Sequence, residues 1–299
     1  MVLAFDLGGT RTKHGVVDAE TGEVFAAGAA PTPPTAAEAV EQMVDTARSL
    51  VSRGDGVDGL GLSMPGLITA DGVCRALPGK LPGAEGLNLG ALVGAELGIP
   101  SLVVNDAIAH GAGEAAYGAG RGHARVVVMT LGTGVGVAAF ERGLPLGTGE
   151  LGGGILGGQI PISAAEAGPL DTNGRPDTIE AHCRAQRIPE MVREAGGACE
   201  SVEDAYKLWG EGDPAARQAI GGYRAALTRA LVALAHAHAP DVLVVGGGPV
   251  CPGNPVLPGL EAEVNRRLFR GYLVLVREEE LGERAALVGV AGLQRERAR

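Results

Sequence analysis

The stretch Leu3–Lys13, LAFDLGGTRTK, decides the reading of this chain: an apolar strand ends in a carboxylate, two glycines and a hydroxyl residue follow, and the chain resumes extended. Gly8 and Gly9 lack the Cβ atoms that would keep a polyanion away from backbone N–H groups, and Thr10 adds a hydroxyl donor. Such a turn suits phosphate. Asp6 at the strand end faces the same place, and a carboxylate beside phosphates is repulsive unless a cation lies between them, which implies Mg²⁺. An ordinary β-hairpin with a glycine turn fits the same residues. Both readings stand on this stretch alone.

A second copy of the pattern favours the phosphate clamp. Arg125–Phe140, RVVVMTLGTGVGVAAF, is again a β-branched run broken by Gly132, Thr133 and Gly134, about 120 residues after the first turn. Two strand–turn–strand clamps predict a duplicated α/β architecture, with one nucleotide between them.

Composition sets the bounds. A chain of 299 residues with 45% hydrophobic content supports two domains or one large one. A formal charge of −10 disfavours nucleic acid or anionic membrane as partner, since both call for clustered Lys and Arg. Cys74, Cys183, Cys199 and Cys251 are scattered without CxxC spacing, so neither a disulfide framework nor a thiolate metal site is indicated. With no leader-like start and no long apolar run, a cytoplasmic protein is expected.

The local signals are readable in order. Thr35 is a fair N-cap for a helix carrying Ala39, Val40, Met43, Val44, Ala47, Leu50 and Val51 at helical spacing. Val57–Ser63 reads as a strand running into the Met64-Pro65-Gly66 turn. Leu89–Leu97 reads as a helix stopped by Gly98. Ser101–Asp106 is a short strand delivering Asn105 and Asp106 to the start of the next helix. A long helix opens at Asp213 or Pro214 and runs through Ala239, closed by Pro240, and the strand 241–245 then meets Gly246, Gly247, Gly248 and Pro249. Residues 289–299 read as a terminal helix. His236 and His238 lie about 200° apart around a helix and cannot share a metal.

Five motifs in order, DLGGT at 6–10, VVNDA at 103–107, LGTGVG at 131–136, GTGELG at 147–152 and VVGGGPV at 244–250, resemble those of the ROK (repressor, open reading frame, kinase) family of sugar kinases. The resemblance implies the two-domain actin-like ATPase/hexokinase (ribonuclease H-like) fold with an interdomain cleft. It divides the chain into residues 1–106 with 289–299, the small N-terminal domain, and residues 107–288, the large C-terminal domain. It also implies ATP with Mg²⁺ and a small sugar acceptor, with domain closure excluding water. Asp6, Gly8, Gly9, Thr10 and Lys13 with Gly132, Thr133 and Gly134 would then hold the phosphates, and Gly246, Gly247 and Gly248 the adenosine. Gly66, Asn105, Asp106, Glu150 and Glu180 would hold the sugar.

Phosphoryl transfer to a hydroxyl needs a positioned proton acceptor, and the resemblance gives that role to Asp106. A plain helix cap is the alternative for the same residue. Departures from the family pattern are as informative. Lys80 stands where a sugar-contacting Asn is expected, and Gly153 where a His is expected; Lys80 could offer a charged contact or be an ordinary loop lysine. His182 is a candidate replacement for the missing His. Asp171–Glu180, DTNGRPDTIE, shares the spacing of the family's CxCGxxGCxE zinc motif, but Asp171, Asn173 and Thr178 replace its cysteines. With the His absent too, no zinc site is expected. A catalytically degenerate member that binds sugar or nucleotide as a regulator is the alternative to a kinase. Repressor members carry a helix-turn-helix ahead of the first clamp, and here only five residues precede Asp6, so operator binding is not expected. A homodimer is left open.

Overall fold

The computed structural model describes residues 1–51, 56–77, 79, 81–147, 156–164 and 167–298. In chain order the strands and helices begin with β1 (Val2–Leu7), β2 (Arg11–Asp18), β3 (Glu23–Pro31), α1 (Ala36–Val51), β4 (Gly59–Met64), β5 (Leu67–Ile68) and β6 (Cys74–Ala76). They continue with α2 (Leu89–Leu97), β7 (Ser101–Asn105), α3 (Asp106–Ala116), β8 (Arg125–Leu131), β9 (Val135–Glu141) and β10 (Leu144–Pro145). The last are α4 (Ile179–Cys183), α5 (Arg187–Glu194), α6 (Val202–Glu211), α7 (Pro214–His238), β11 (Val242–Gly247), α8 (Leu260–Asn265), β12 (Leu275–Glu278) and α9 (Ala285–Arg297).

Two five-stranded sheets carry the chain, ordered β3-β2-β1-β4-β7 and β10-β9-β8-β11-β12. Counted within each sheet, both orders read third, second, first, fourth, fifth, so the duplication seen in the glycine turns extends to the topology. In the first sheet β2 pairs antiparallel with β1 and β3, while β4 pairs parallel with both β1 and β7. In the second, β11 pairs parallel with β8 and β12.

The chain divides into two compact units. One comprises Met1–Gly122, Ala138–Ile155 and Leu281–Arg299, the other His123–Val137 and Leu156–Glu280. In the first unit, strand alternation sends Leu3, Phe5 and Leu7 into a core with α1 and α2, where Met43, Ala47, Leu89 and Val93 are buried. Val2 and Ala4 point to the opposite face, onto Leu287, Val290 and Ala291 of α9. In the second unit Val126–Met129 of β8 and Val242–Val245 of β11 are buried, and α7 supplies Ile220, Tyr223, Leu227, Leu231 and Leu234 to the core. No described helix is long and apolar enough to cross a membrane.

Helix ends follow the local signals closely. Asn88 caps α2 through Ala91 N, and Gly98 ends it in the left-handed region at φ 69°. Asp213 caps α7 through Ala216 N with Pro214 as its first residue, and α7 ends one residue before Ala239, at His238. The terminal helix differs from the sequence expectation. It begins at Ala285, four residues before Gly289, because Ala285–Leu287 are buried with the rest of the helix. Nearly every side of α9 as far as Gly292 is covered, so its sequence shows little polar-apolar alternation to mark the start.

Among the described glycines of the first unit, the tightest contacts lie where α3 and α9 cross. A Cβ at Gly289 would collide with the backbone of Ala109 and Gly113, and one at Gly113 with the carbonyl of Ala285. Gly289→Val should therefore lower stability by at least about 1–3 kcal/mol, the usual cost of overpacking. Gly221, exposed in α7 with open space at its Cβ position, is the opposite case: Gly221→Ala should add about 0.4–1 kcal/mol. Thermal unfolding of both variants checks the pair, and a Gly289→Val protein as stable as the parent would refute the crossing.

Candidate functional site

Parallel strands finish on a common edge, and β1, β4 and β7 bring Asp6, Ser63 and Asn105 to theirs. Register places Asp6 beside Ser63 and Met64 beside Asn105. Asp6 is half-buried, and the Ser63 hydroxyl donates to its Oδ1 at 2.8 Å. Beyond Leu7 the chain turns tightly, with Gly8 N donating to Arg11 O at 3.0 Å. The residue after β3 holds this turn: Thr32 Oγ1 donates to Gly8 O at 2.7 Å and lies 3.0 Å from Thr12 Oγ1. Gly9 and Thr10 are exposed. Lys13 sits opposite Asp6 on β2, and its Nζ lies 3.6 Å from Glu283.

At the end of β7 a single side chain organises two segments. Asn105 Oδ1 accepts from Ala107 N at 2.9 Å, capping α3, while its Nδ2 donates to Gly66 O at 2.8 Å. The cap is thus Asn105, and Asp106 is the first residue inside the helix. Asp106 is exposed, and its Oδ1 also accepts from Ala107 N at 2.9 Å. A carboxylate in a helix's first turn is favoured by the helix dipole. Asn105 thereby fixes both the Gly66 carbonyl and the base of Asp106.

In the second unit the pairing of β8 with β11 sets Leu131 beside Gly247, which brings the second and third glycine turns together. Gly132 N donates to Gly134 O at 2.9 Å, and Ala185 N to Gly132 O at 2.8 Å. Gly248 N donates to Leu131 O at 3.1 Å. Gly246 is buried, Gly248 exposed, and Gly247 has φ 97° with the Leu131 backbone where a Cβ would stand. Glu279 Oε1 accepts from Gly247 N at 2.9 Å.

Glu180, near the start of α4, is buried, and both its oxygens bind protein. Oε2 accepts from Val135 N at 3.1 Å; Oε1 accepts from Thr172 N at 2.8 Å and Thr172 Oγ1 at 2.6 Å. It ties the second glycine turn to the 171–180 loop. His182 Nε2 lies 3.1 Å from Ser163 Oγ, and burial draws its pKa below the usual histidine value. Glu150, Gly153 and Lys80 lie outside the described residues.

Ser63, Thr32, Thr172 and Glu279 escaped the sequence reading. Ser63 directly precedes the Met64-Pro65-Gly66 turn, but its tie to Asp6 follows only from the β1–β4 register. Glu279 meets Gly247 across 32 residues with no local signal at all.

Both glycine-lined edges thus sit at the carboxyl ends of strands in two sheets of like topology. A sequence model of the ROK family matches residues 2–297. The chain belongs to the ROK family. It is 29% identical over 318 residues to a glucokinase of Streptomyces coelicolor, spanning 99% of this chain and 98% of that protein. A ROK hexokinase from Thermus thermophilus has a TM-score of 0.84 at 25% identity, covering 99% of this chain and 98% of that one. A ROK family glucokinase from Streptomyces griseus, solved with glucose and AMPPNP, has a TM-score of 0.80 at 26% identity and covers 99% of both chains. The fold is the actin-like/hexokinase fold.

Gly66 has φ 98°, and a Cβ there would stand 2.6 Å from Ala76 O. Gly66→Ala should cost about 1–3 kcal/mol, because the turn must strain or move the carbonyl that Asn105 holds. Urea unfolding measures it, and an unchanged midpoint and slope would show that the turn accepts a side chain.

Proposed function

We propose that the protein transfers the γ-phosphoryl group of ATP to a hydroxyl of a small sugar, with Asp106 as the proton acceptor. Membership of the ROK family and relatives named glucokinase support the activity. The observation that carries the assignment of the base is the exposed Asp106 carboxylate on the first turn of α3, backed by the Asn105 cap. As the sugar oxygen bonds to the γ-phosphorus, the bond to the bridging oxygen breaks and ADP leaves; the hydroxyl proton passes to Asp106. Asn105, Gly66, Glu150 and Glu180 are assigned to the sugar. Gly8, Gly9, Thr10 and Lys13 with Gly132, Thr133 and Gly134 are assigned to the phosphates, and Gly246–Gly248 to the adenosine.

Asp6 fits a phosphate-bound Mg²⁺. The ion needs only one or two carboxylate oxygens and keeps waters and phosphates as its other ligands, and Asp6 is held by Ser63 through Oδ1. When bound, Mg²⁺ supplies neutralisation of phosphate charge. Ser63 keeps the Asp6 carboxylate oriented, and the Thr32 tie keeps the Gly8 turn in place.

If Asp106 is the base, Asp106→Asn should cut kcat by about 10²-fold or more while the KM for ATP stays nearly unchanged. A coupled ADP-release assay decides it, and a variant keeping most of its turnover removes Asp106 from the role.

Acceptor choice is expected to depart from glucose. A sugar site discriminates when each hydroxyl meets a buried partner that the wrong sugar leaves unpaired. Here Lys80 and Gly153 replace an Asn and a His of the family pattern, which removes fixed donors and adds room and a cation. Glucose should show a kcat/KM at least about tenfold below the best acceptor in a panel that includes N-acyl and carboxylated sugars, a gap of about 1.4 kcal/mol. Glucose as the best acceptor would overturn this account of the pocket.

A further inference from the structure

The loop between Asp171 and Thr178 is closed around one buried carboxylate. Asp171, 7% exposed, accepts at Oδ1 from the N–H groups of Asn173 at 2.8 Å and Arg175 at 2.9 Å, and at Oδ2 from the Thr178 hydroxyl at 2.9 Å. Its own N–H donates to Arg175 O at 2.9 Å, and Gly174 N donates back to Asp171 O at 3.1 Å. Thr178 in turn caps α4 through Ala181 N at 3.2 Å. One side chain therefore satisfies three donors of the loop and locks it onto the helix that carries Glu180.

The residue next to it does the coupling. Thr172 gives both its N–H and its hydroxyl to Glu180 Oε1, and Glu180 Oε2 takes the Val135 N–H just after the second glycine turn. A Cβ at Gly134 would come within 2.7 Å of that same Oε2, so the carboxylate rests directly on the turn. The direction of the Thr172 donors is set by the 171–175 turn. That turn is set by Asp171.

We propose that Asp171 is a positioning residue: through Thr172 and Glu180 it holds the second glycine turn in the form that receives the ATP phosphates. The part about ATP rests on the kinase reading above; the mechanical part does not. Hydrogen bonds to one carboxylate close this loop. Asn at position 171 can keep both backbone bonds at Oδ1 and turn its amide toward the Thr178 oxygen, whereas Ala leaves all three donors without their partner.

The test compares Asp171→Ala and Asp171→Asn with the parent, well below the unfolding temperature, by amide hydrogen exchange and by kinetics. In Asp171→Ala the Val135 and Thr172 amides should exchange at least about tenfold faster while the β8 core amides hold their protection. The KM for ATP should rise at least about fivefold with a smaller change in kcat, and Asp171→Asn should stay within about threefold of the parent on both measures. Native exchange at Val135 and Thr172 in Asp171→Ala would overturn the proposal, as would a uniform rise at every amide, which marks general destabilisation. Local exchange changes with an unchanged KM for ATP would overturn the link to the phosphates. If the parent itself phosphorylates no acceptor in the panel, the kinase reading fails, and the exchange data alone judge the positioning role.

Discussion

Parallel pairing fixes where chemistry can sit in this protein. Strands that run the same way release their last residues along one edge, so side chains far apart in sequence become neighbours there. In the first sheet that edge collects Asp6, Ser63, Asn105 and the turns that follow them. The second collects the glycine turns after β8 and β11. In each sheet the first strand leads directly into a glycine turn and an antiparallel return. Each turn is closed from within, Gly8 N donating to Arg11 O and Gly132 N to Gly134 O, which glycine permits because no Cβ crowds the turn.

Carboxylates do much of the holding at these edges. Backbone N–H groups in tight turns have no ladder partner and must be satisfied by something. Glu180 takes Val135 and Thr172, Glu279 takes Gly247, and Asp171 takes Asn173 and Arg175. Charged acceptors form the stronger class of hydrogen bond, and a buried donor stranded by their loss costs about 1–3 kcal/mol. Part of the chain's acidic charge is therefore internal scaffolding.

The α3–α9 crossing solves a different problem. The first sheet must be covered on both faces, and α9, near the end of the chain, covers the one that Val2 and Ala4 open. Gly113 and Gly289 let α3 lie against it almost backbone to backbone, so the helix that begins at Asp106 is clamped along its length.

Local rules were legible in the sequence because their causes are local. The stop of α2 at Gly98, the Asp213-Pro214 start of α7 and the glycine turns after β1, β8 and β11 each depend on a few adjacent residues. So does the delivery of Asn105 and Asp106 at a strand end. What lies across the chain was not legible. Ser63 reaches Asp6 over 57 residues, Glu180 reaches Val135 over 45, and Asn105 reaches Gly66 over 39. Parallel register is set by packed crossovers, and no short pattern encodes it. The early start of α9 was hidden because a helix covered on nearly every side shows no polar stripe. Asn105 rather than Asp106 became the cap because the tertiary turn at Gly66 takes the Asn amide, leaving Asp106 exposed one residue inside the helix.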